Sequence, residues 1–274
     1  MAGIEARHAV ARKRVLANAT AAVLVALALA GCASRDQTTT GSTERGYAAR
    51  PVDQLSAAEL NSEVDTLGRA YTRDTKNKAV AMRYAAVLQM NGRNEQSLAV
   101  MRKLAIDLPK DREVLASYGK SLAAAGELQP ALEAIRRAQT PEYPDWRLVS
   151  AEAAILDQLG DTASARQLYR RAIDMKPGEP SVLSNLGMSY VLEGDLKQAE
   201  TYMKQAAAMP GADSRVRQNL ALVVGLQGRF KEAEDIARQE LSPQQAEANV
   251  TYLRSMLSQQ NAWKQLEREE RNTN

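Results

Sequence analysis

Five glycines, Gly92, Gly126, Gly160, Gly194 and Gly228, stand 34 residues apart without one insertion. A fixed period of this length means that one supersecondary unit is repeated, so the fold has to be sought in the unit and its stacking. Five positions after each glycine comes a small residue: Ser97, Ala131, Ala165, Ala199 and Ala233. Seven positions before each comes another, Ala85, Gly119, Ala153, Gly187 or Ala221, and three beyond these stand the larger Leu88, Leu122, Leu156, Tyr190 and Val224. The spacing predicts two helices per unit. The glycine ends the first by entering the left-handed region that other residues avoid. Small residues let the two antiparallel helices approach closely, and the large ones interdigitate with the neighbouring pair. Pro109, Pro141, Pro177, Pro210 and Pro243 close the units by stopping the second helix.

With Leu186-Gly187, Tyr190, Gly194, Ala199 and Ala206 as its best single match, the pattern resembles the tetratricopeptide repeat, a helix-turn-helix unit of about 34 residues. The resemblance implies an all-α fold, a right-handed superhelix with capping helices at both ends. Five repeats occupy 77–247. A capping helix in 55–76 precedes them, with Leu60, Val64, Leu67 and Tyr71 on its apolar face. In 248–274 a final pair of helices is expected, Asn249 to Ser258 and Trp263 to about Arg271. Tyr252, Leu253, Met256 and Leu257 face inward there, and a polar tail follows. A continuous repeat has no boundary inside it, so one superhelical domain is expected. The family's first-helix tryptophan is missing, Arg217 fills that slot in the fifth unit, and Glu240 replaces a usual alanine. Looser packing of repeat five follows.

The N-terminus has a different character. A charged stretch ending at Arg14 precedes Val15 to Ala30, an apolar run broken only by Asn18 and Thr20. This is the layout of a secretory leader, and the run falls short of the roughly 20 residues a membrane-spanning helix needs. Leu29-Ala30-Gly31-Cys32 resembles the bacterial lipobox, whose cysteine is acylated before cleavage on its N-terminal side. The resemblance implies removal of 1–31, a lipid on Cys32 and, since Ala33 rather than Asp follows, anchorage to the periplasmic face of the outer membrane. An ordinary signal peptide cut nearby, or an uncleaved signal anchor, is the alternative. One acyl chain holds a membrane marginally, at about 0.8 kcal/mol per buried methylene, whereas two anchor stably. Residues 32–54, rich in Ser, Thr, Gly and charge, lack apolar periodicity and are expected to form a flexible tether.

Composition excludes much chemistry. The leader holds four of the 36 Lys and Arg residues and one of the 33 acids, so 32 of each remain downstream. No basic excess is left for phosphate neutralisation, and nucleic acid is not an expected partner. The only histidine is His8 and the only cysteine is Cys32. Downstream, no imidazole can serve a Ser-His-Asp or Cys-His nucleophile, and neither residue can hold zinc, haem or an iron-sulfur cluster. No disulfide can form within the chain. No cofactor, metal or small-molecule substrate is expected.

Acid pairs are the remaining catalytic candidates, because two carboxylates can hydrolyse without histidine. Asp157 with Asp161, and Glu193 with Asp195, flank the turns of repeats three and four, where solvated turn and cap residues belong. Nothing around them suggests pKa-tuning burial, and no enzymatic activity is expected. The tyrosines, Trp146 and Trp263 are read as packing residues.

The resemblance also implies a partner-binding groove lined by the first helix of each unit. The corresponding positions are Met82, Arg83 and Met90; Lys120; Arg147, Ser150, Ala154 and Asp157; Ser184, Asn185, Met188, Val191 and Leu192; and Arg215, Gln218, Asn219, Leu222 and Leu226. The strongest set is Asn185, Met188, Leu192, Arg215, Gln218, Asn219, Leu222 and Leu226. Asn185 and Asn219 stand 34 residues apart, and stacked amides of this kind can bond the backbone of a peptide. Alternatively the two asparagines satisfy local backbone groups and the apolar side chains are core. The family's lysine-rich carboxylate clamp is incomplete, since Lys120 and Arg215 lie in distant repeats.

The runs NLALVVGLQGRFKEAEDIAR (219–238), QQAEANVTYLRSML (244–257) and QQNAW (259–263) resemble the TadD family, the assembly lipoproteins of tight-adherence (Flp, type IVb) pili. That resemblance implies a non-enzymatic periplasmic scaffold that supports pilus biogenesis and acts like a pilotin for the outer-membrane secretin, its partner being the secretin or another assembly subunit. The alternative is an envelope adaptor that docks cell-wall synthases or proteases and has no pilus role.

Overall fold

The computed structural model describes residues 50–273; the side chains of Asp53 and of 261–273 are not described. The leader, Cys32 and nearly all of the expected tether lie outside the described residues. Twelve α-helices, and no strand, make up the fold among the described residues: α1 (Ala57–Arg73), α2 (Lys78–Met90), α3 (Asn94–Asp107), α4 (Arg112–Ala124), α5 (Leu128–Ala138), α6 (Trp146–Gln158), α7 (Thr162–Met175), α8 (Pro180–Glu193), α9 (Leu196–Ala208), α10 (Ser214–Leu226), α11 (Phe230–Ala237) and α12 (Pro243–Thr273). A 3-10 turn at Val52–Gln54 precedes them. The chain divides into two compact units, one ending at Leu168 and one beginning at Tyr169.

The hairpin turn is the same device each time. Gly92, Gly126, Gly160, Gly194 and Gly228 all have φ between +72° and +88°. The residue after each glycine then donates its backbone N–H to the large residue five positions back: Arg93 to Leu88, Glu127 to Leu122, Asp161 to Leu156, Asp195 to Tyr190 and Arg229 to Val224. These bonds satisfy carbonyls that the helix end would leave open. The first helices also begin alike. Asn77, Asp111, Asp145, Glu179 and Asp213, again 34 apart, each accept a backbone N–H from the first turn. This second series is not implied by the glycine period, although its acids and amide stand at the same 34-residue spacing.

In the first unit, Leu60 and Val64 of α1 pack with Ala81, Ala85 and Leu88 of α2 and with Met101 and Leu104 of α3. Gly119 of α4 permits a close approach: a Cβ there would lie 3.2 Å from the Ala131 carbonyl of α5. Residues 50–54 were expected in the tether, yet Val52 and Leu55 rest on this core and Arg83 donates to the Arg50 carbonyl at 3.0 Å. Apolar side chains at 52 and 55 give this stretch something to bury, which the polar sequence before it lacks.

In the second unit α8 and α9 repeat the motif. A Cβ on Gly187 would stand 3.0 Å from Met203 Cε and 3.2 Å from the Ala199 carbonyl. Leu183, Ala206 and Val216 join α8, α9 and α10 into one cluster. The fifth repeat departs from expectation. Its second helix, α11, has only 8 residues, and α12 begins at Pro243 rather than after residue 247. Ser242 and Gln245 cap α12 reciprocally, and a proline in the first turn is preorganised for a helix start. Nor is the C-terminus a helix pair. α12 is continuous over 31 residues, because no glycine or proline interrupts 244–273. Ala246, Val250 and Leu253 are buried, with Leu253 seated where Gly225 lacks a Cβ. Tyr252, expected inward, is 62% exposed, since its neighbour Leu253 takes the inward direction.

Candidate functional site

The expected groove residues divide by unit. In the first, Met90 is 43% exposed, Ser150 and Asp157 are buried, and Met82, Arg83, Lys120, Arg147 and Ala154 are half-buried. Arg83 is bonded to Glu63, with both contacts at 3.3 Å, and the Arg147 guanidinium lies 4.6 Å from the Trp146 ring centroid. Asp157 corrects the expectation of a solvated acid, being only 7% exposed at the end of α6. Its expected companion Asp161 is an exposed N-cap, whose carboxyl is held below the usual range by hydrogen bonds from Ser164. Glu193 is exposed and Asp195 caps α9. Asp157 and Asp161 thus have different surroundings, one buried and one exposed.

The second unit brings more of the set together. Asn185, Met188 and Leu192 lie on α8, and Arg215, Gln218, Asn219, Leu222 and Leu226 on α10. Met188 is 5% exposed and is core, a correction to its place in the groove. Residues on nearly every side of α8 are buried, so helical period could not separate its partner-facing side chains from its packed ones. Ser184 and Val191 are buried too. The other seven residues are half-buried.

Hydrogen bonds order this face. Asn219 Nδ2 donates to Ser184 Oγ at 3.1 Å, linking α10 to α8. Ser184 in turn gives its hydroxyl proton to Met203 Sδ at 3.5 Å. Gln218 Nε2 donates to Ser214 Oγ at 2.8 Å. The Arg215 guanidinium bonds Asp213 Oδ2 at 2.8 and 3.1 Å. Burial opposes ionisation of Asp213, but Arg215 and the Val216 N–H outweigh it and hold the carboxyl below its ordinary value. The face therefore couples an ion pair at its edge to amides and leucines in its middle. Such a surface suits a polypeptide that brings apolar side chains and backbone hydrogen-bonding groups.

The fold is that of tetratricopeptide-repeat proteins. Residues 156–223 match the family model for the tetratricopeptide repeat. Among solved structures, a thermophilic tetratricopeptide-repeat protein of Thermus thermophilus aligns with a TM-score of 0.56 at 22% identity, over 63% of this chain and 96% of that one. A tetratricopeptide repeat protein of Parabacteroides merdae gives 0.63 at 14% identity, over 72% and 78%. The Cut9–Hcn1 hetero-tetramer of the APC/C gives 0.55 at 16%, over 71% of this chain and 38% of that one. No curated protein matches the chain significantly.

Proposed function

We propose that this protein is a non-enzymatic, lipid-anchored scaffold of the bacterial envelope that grips a protein partner on the α8–α10 face and supports assembly of tight-adherence pili. The observation that carries the gripping role is that face: Leu192, Leu222 and Leu226 beside Asn185, Gln218 and Asn219, all half-buried rather than sealed in the core. Repeat solenoids of this kind present extended binding surfaces. The envelope location rests on the leader and the Leu29-Ala30-Gly31-Cys32 lipobox, and the pilus role on the resemblance of 219–263 to the TadD family.

The mechanism needs no chemistry beyond confinement. Acyl chains on Cys32 hold the face in a thin layer beneath the outer membrane. That raises its effective concentration for a secretin or another assembly subunit, so a modest affinity suffices. Replacing Cys32 with Ser tests the whole reading. The variant is expected to keep its helical circular dichroism, to leave the membrane fraction and to lose piliation. Normal piliation by unlipidated protein would remove tethering. Intact piliation in a strain lacking the gene altogether would favour an adaptor for cell-wall synthases or proteases.

A further inference from the structure

Asn219 bonds across from the first helix of one repeat to that of the repeat before it, and its surroundings fix which way its amide faces. Ser184 Oγ carries a single proton. That proton lies toward Met203 Sδ at 3.5 Å, so Ser184 accepts from Asn219 Nδ2 at 3.1 Å. With the amide turned round, Ser184 would give its proton to Asn219 and leave the sulfur without one, a loss of one hydrogen bond among buried groups. Met203 cannot swing away cheaply. It is fully buried, and its side chain fills the space beside Gly187, within 3.0 to 3.1 Å of where a Cβ would be. The repeat's own small residue thus seats Met203, Met203 orients Ser184, and Ser184 orients Asn219.

With the amide nitrogen spent on Ser184, the Asn219 carbonyl oxygen is the polar atom this half-buried side chain has left to offer. Among the described residues nothing donates to it. Gln218 is alike: its nitrogen is spent on Ser214 and its carbonyl oxygen receives no donor among the described residues. Leu222 and Leu226 stand one and two turns further along the same helix.

We infer that Ser184 is a positioning residue that sets the hydrogen-bond polarity of this face, so that it takes an extended, uncharged peptide segment by its backbone N–H groups between leucine-sized side chains. This rests on the groove reading above. An α-helix would not serve, since beyond its first turn its N–H groups are already used internally. An acidic chain end would not serve either, since the carbonyls it met would repel it and Arg215 is engaged by Asp213.

The test is nuclear magnetic resonance on the isotopically labelled full-length chain, following the Asn219 and Gln218 side-chain amides and the Leu222 and Leu226 methyls. Three probes are added at equal concentration: N-acetyl-leucine N-methylamide, its doubly N-methylated analogue without N–H groups, and N-acetyl-leucine with a free carboxylate. The first is expected to bind at least ten-fold more tightly than the other two. In Ser184→Ala that preference is expected to shrink below three-fold while Leu222 and Leu226 still respond, and Ser184→Thr is expected to restore it. Equal binding of the first two probes, tighter binding of the carboxylate, no response at all, or an unchanged preference in Ser184→Ala would each overturn the inference. The readout uses no pilus, so its failure is distinct from failure of the envelope reading.

Discussion

Arg217 and Glu240, the two residues that break the repeat pattern in the fifth unit, are paired with each other: the Arg217 Nε–H donates to the Glu240 carboxylate. Their side chains are 28% and 18% exposed, and Arg217 also donates to the Ala212 carbonyl at 3.0 Å. Looser packing was the expectation from either substitution alone. Together they fasten the start of α10 to the turn behind the shortened α11, where the register of the array changes. Glu240→Ala should cost about 1–3 kcal/mol, the value of a charge-assisted hydrogen bond whose partner stays half-buried. Thermal melts followed by circular dichroism check this, and the exchanged pair, Arg217→Glu with Glu240→Arg, should recover part of the loss.

The glycines divide into two kinds that substitution separates. Gly194 is left-handed at φ +87° with open space around it, so Gly194→Ala meets only backbone strain of about 1–2 kcal/mol. Gly187 is helical, and a Cβ there would crowd Met203 and the Ala199 carbonyl, so Gly187→Val must push α8 and α9 apart. Overpacking of this kind costs about 1–3 kcal/mol or more. Melts should therefore rank Gly187→Val below Gly194→Ala; the reverse order would deny the close approach of α8 and α9.

Glu200 makes part of the stability acid-sensitive. Burial works against its ionisation, but hydrogen bonds from Lys204, Arg229 and Gln227 outweigh that and lower its pKa from the ordinary 4.5 to about 2. A carboxylate depressed in the folded state stabilises it fully above the unfolded value, and the benefit fades as pH falls from about 4.5 to about 2. The contribution is on the order of 3 kcal/mol at most. Glu200→Gln should be less stable at neutral pH and should lose less than the parent on acidification across that window. Equal pH dependence of the two proteins would contradict the network.

On the partner face, Leu222→Asp should abolish partner binding, at least ten-fold, with unchanged helicity, because a half-buried leucine there contributes contact rather than core. Lys197→Asp, on α9, should leave binding intact. Pull-down from envelope extracts together with circular dichroism measures both.

Much of this architecture was legible because it is local. Only glycine takes positive φ cheaply, so a glycine period maps directly onto the hairpin turns. The seats of Ala131 and Ala199 followed from the same register. What escaped depends on tertiary surroundings. Met188 and Leu192 are one turn apart on α8 and differ only in what lies over them, which a helix buried on most sides does not disclose. Asp157 looked like a turn acid and is buried. The early start of α12 turns on Ser242 and Gln245 capping a helix that Pro243 opens, where the repeat pattern alone has that proline end one. The pairing of Arg217 with Glu240 joins residues 23 apart that the repeat pattern treats as separate faults.

The gripping role is tested most directly by a photo-crosslinking amino acid placed at position 222 of the lipidated chain in living cells, with position 197 as the control on another helix. The expected product is a conjugate of the 222 variant with the outer-membrane secretin or another pilus assembly subunit. It should be absent at 197 and lost when Cys32 is replaced by Ser. No conjugate at 222, the same product from 197, or capture of a cell-wall synthase in place of a pilus protein would contradict it.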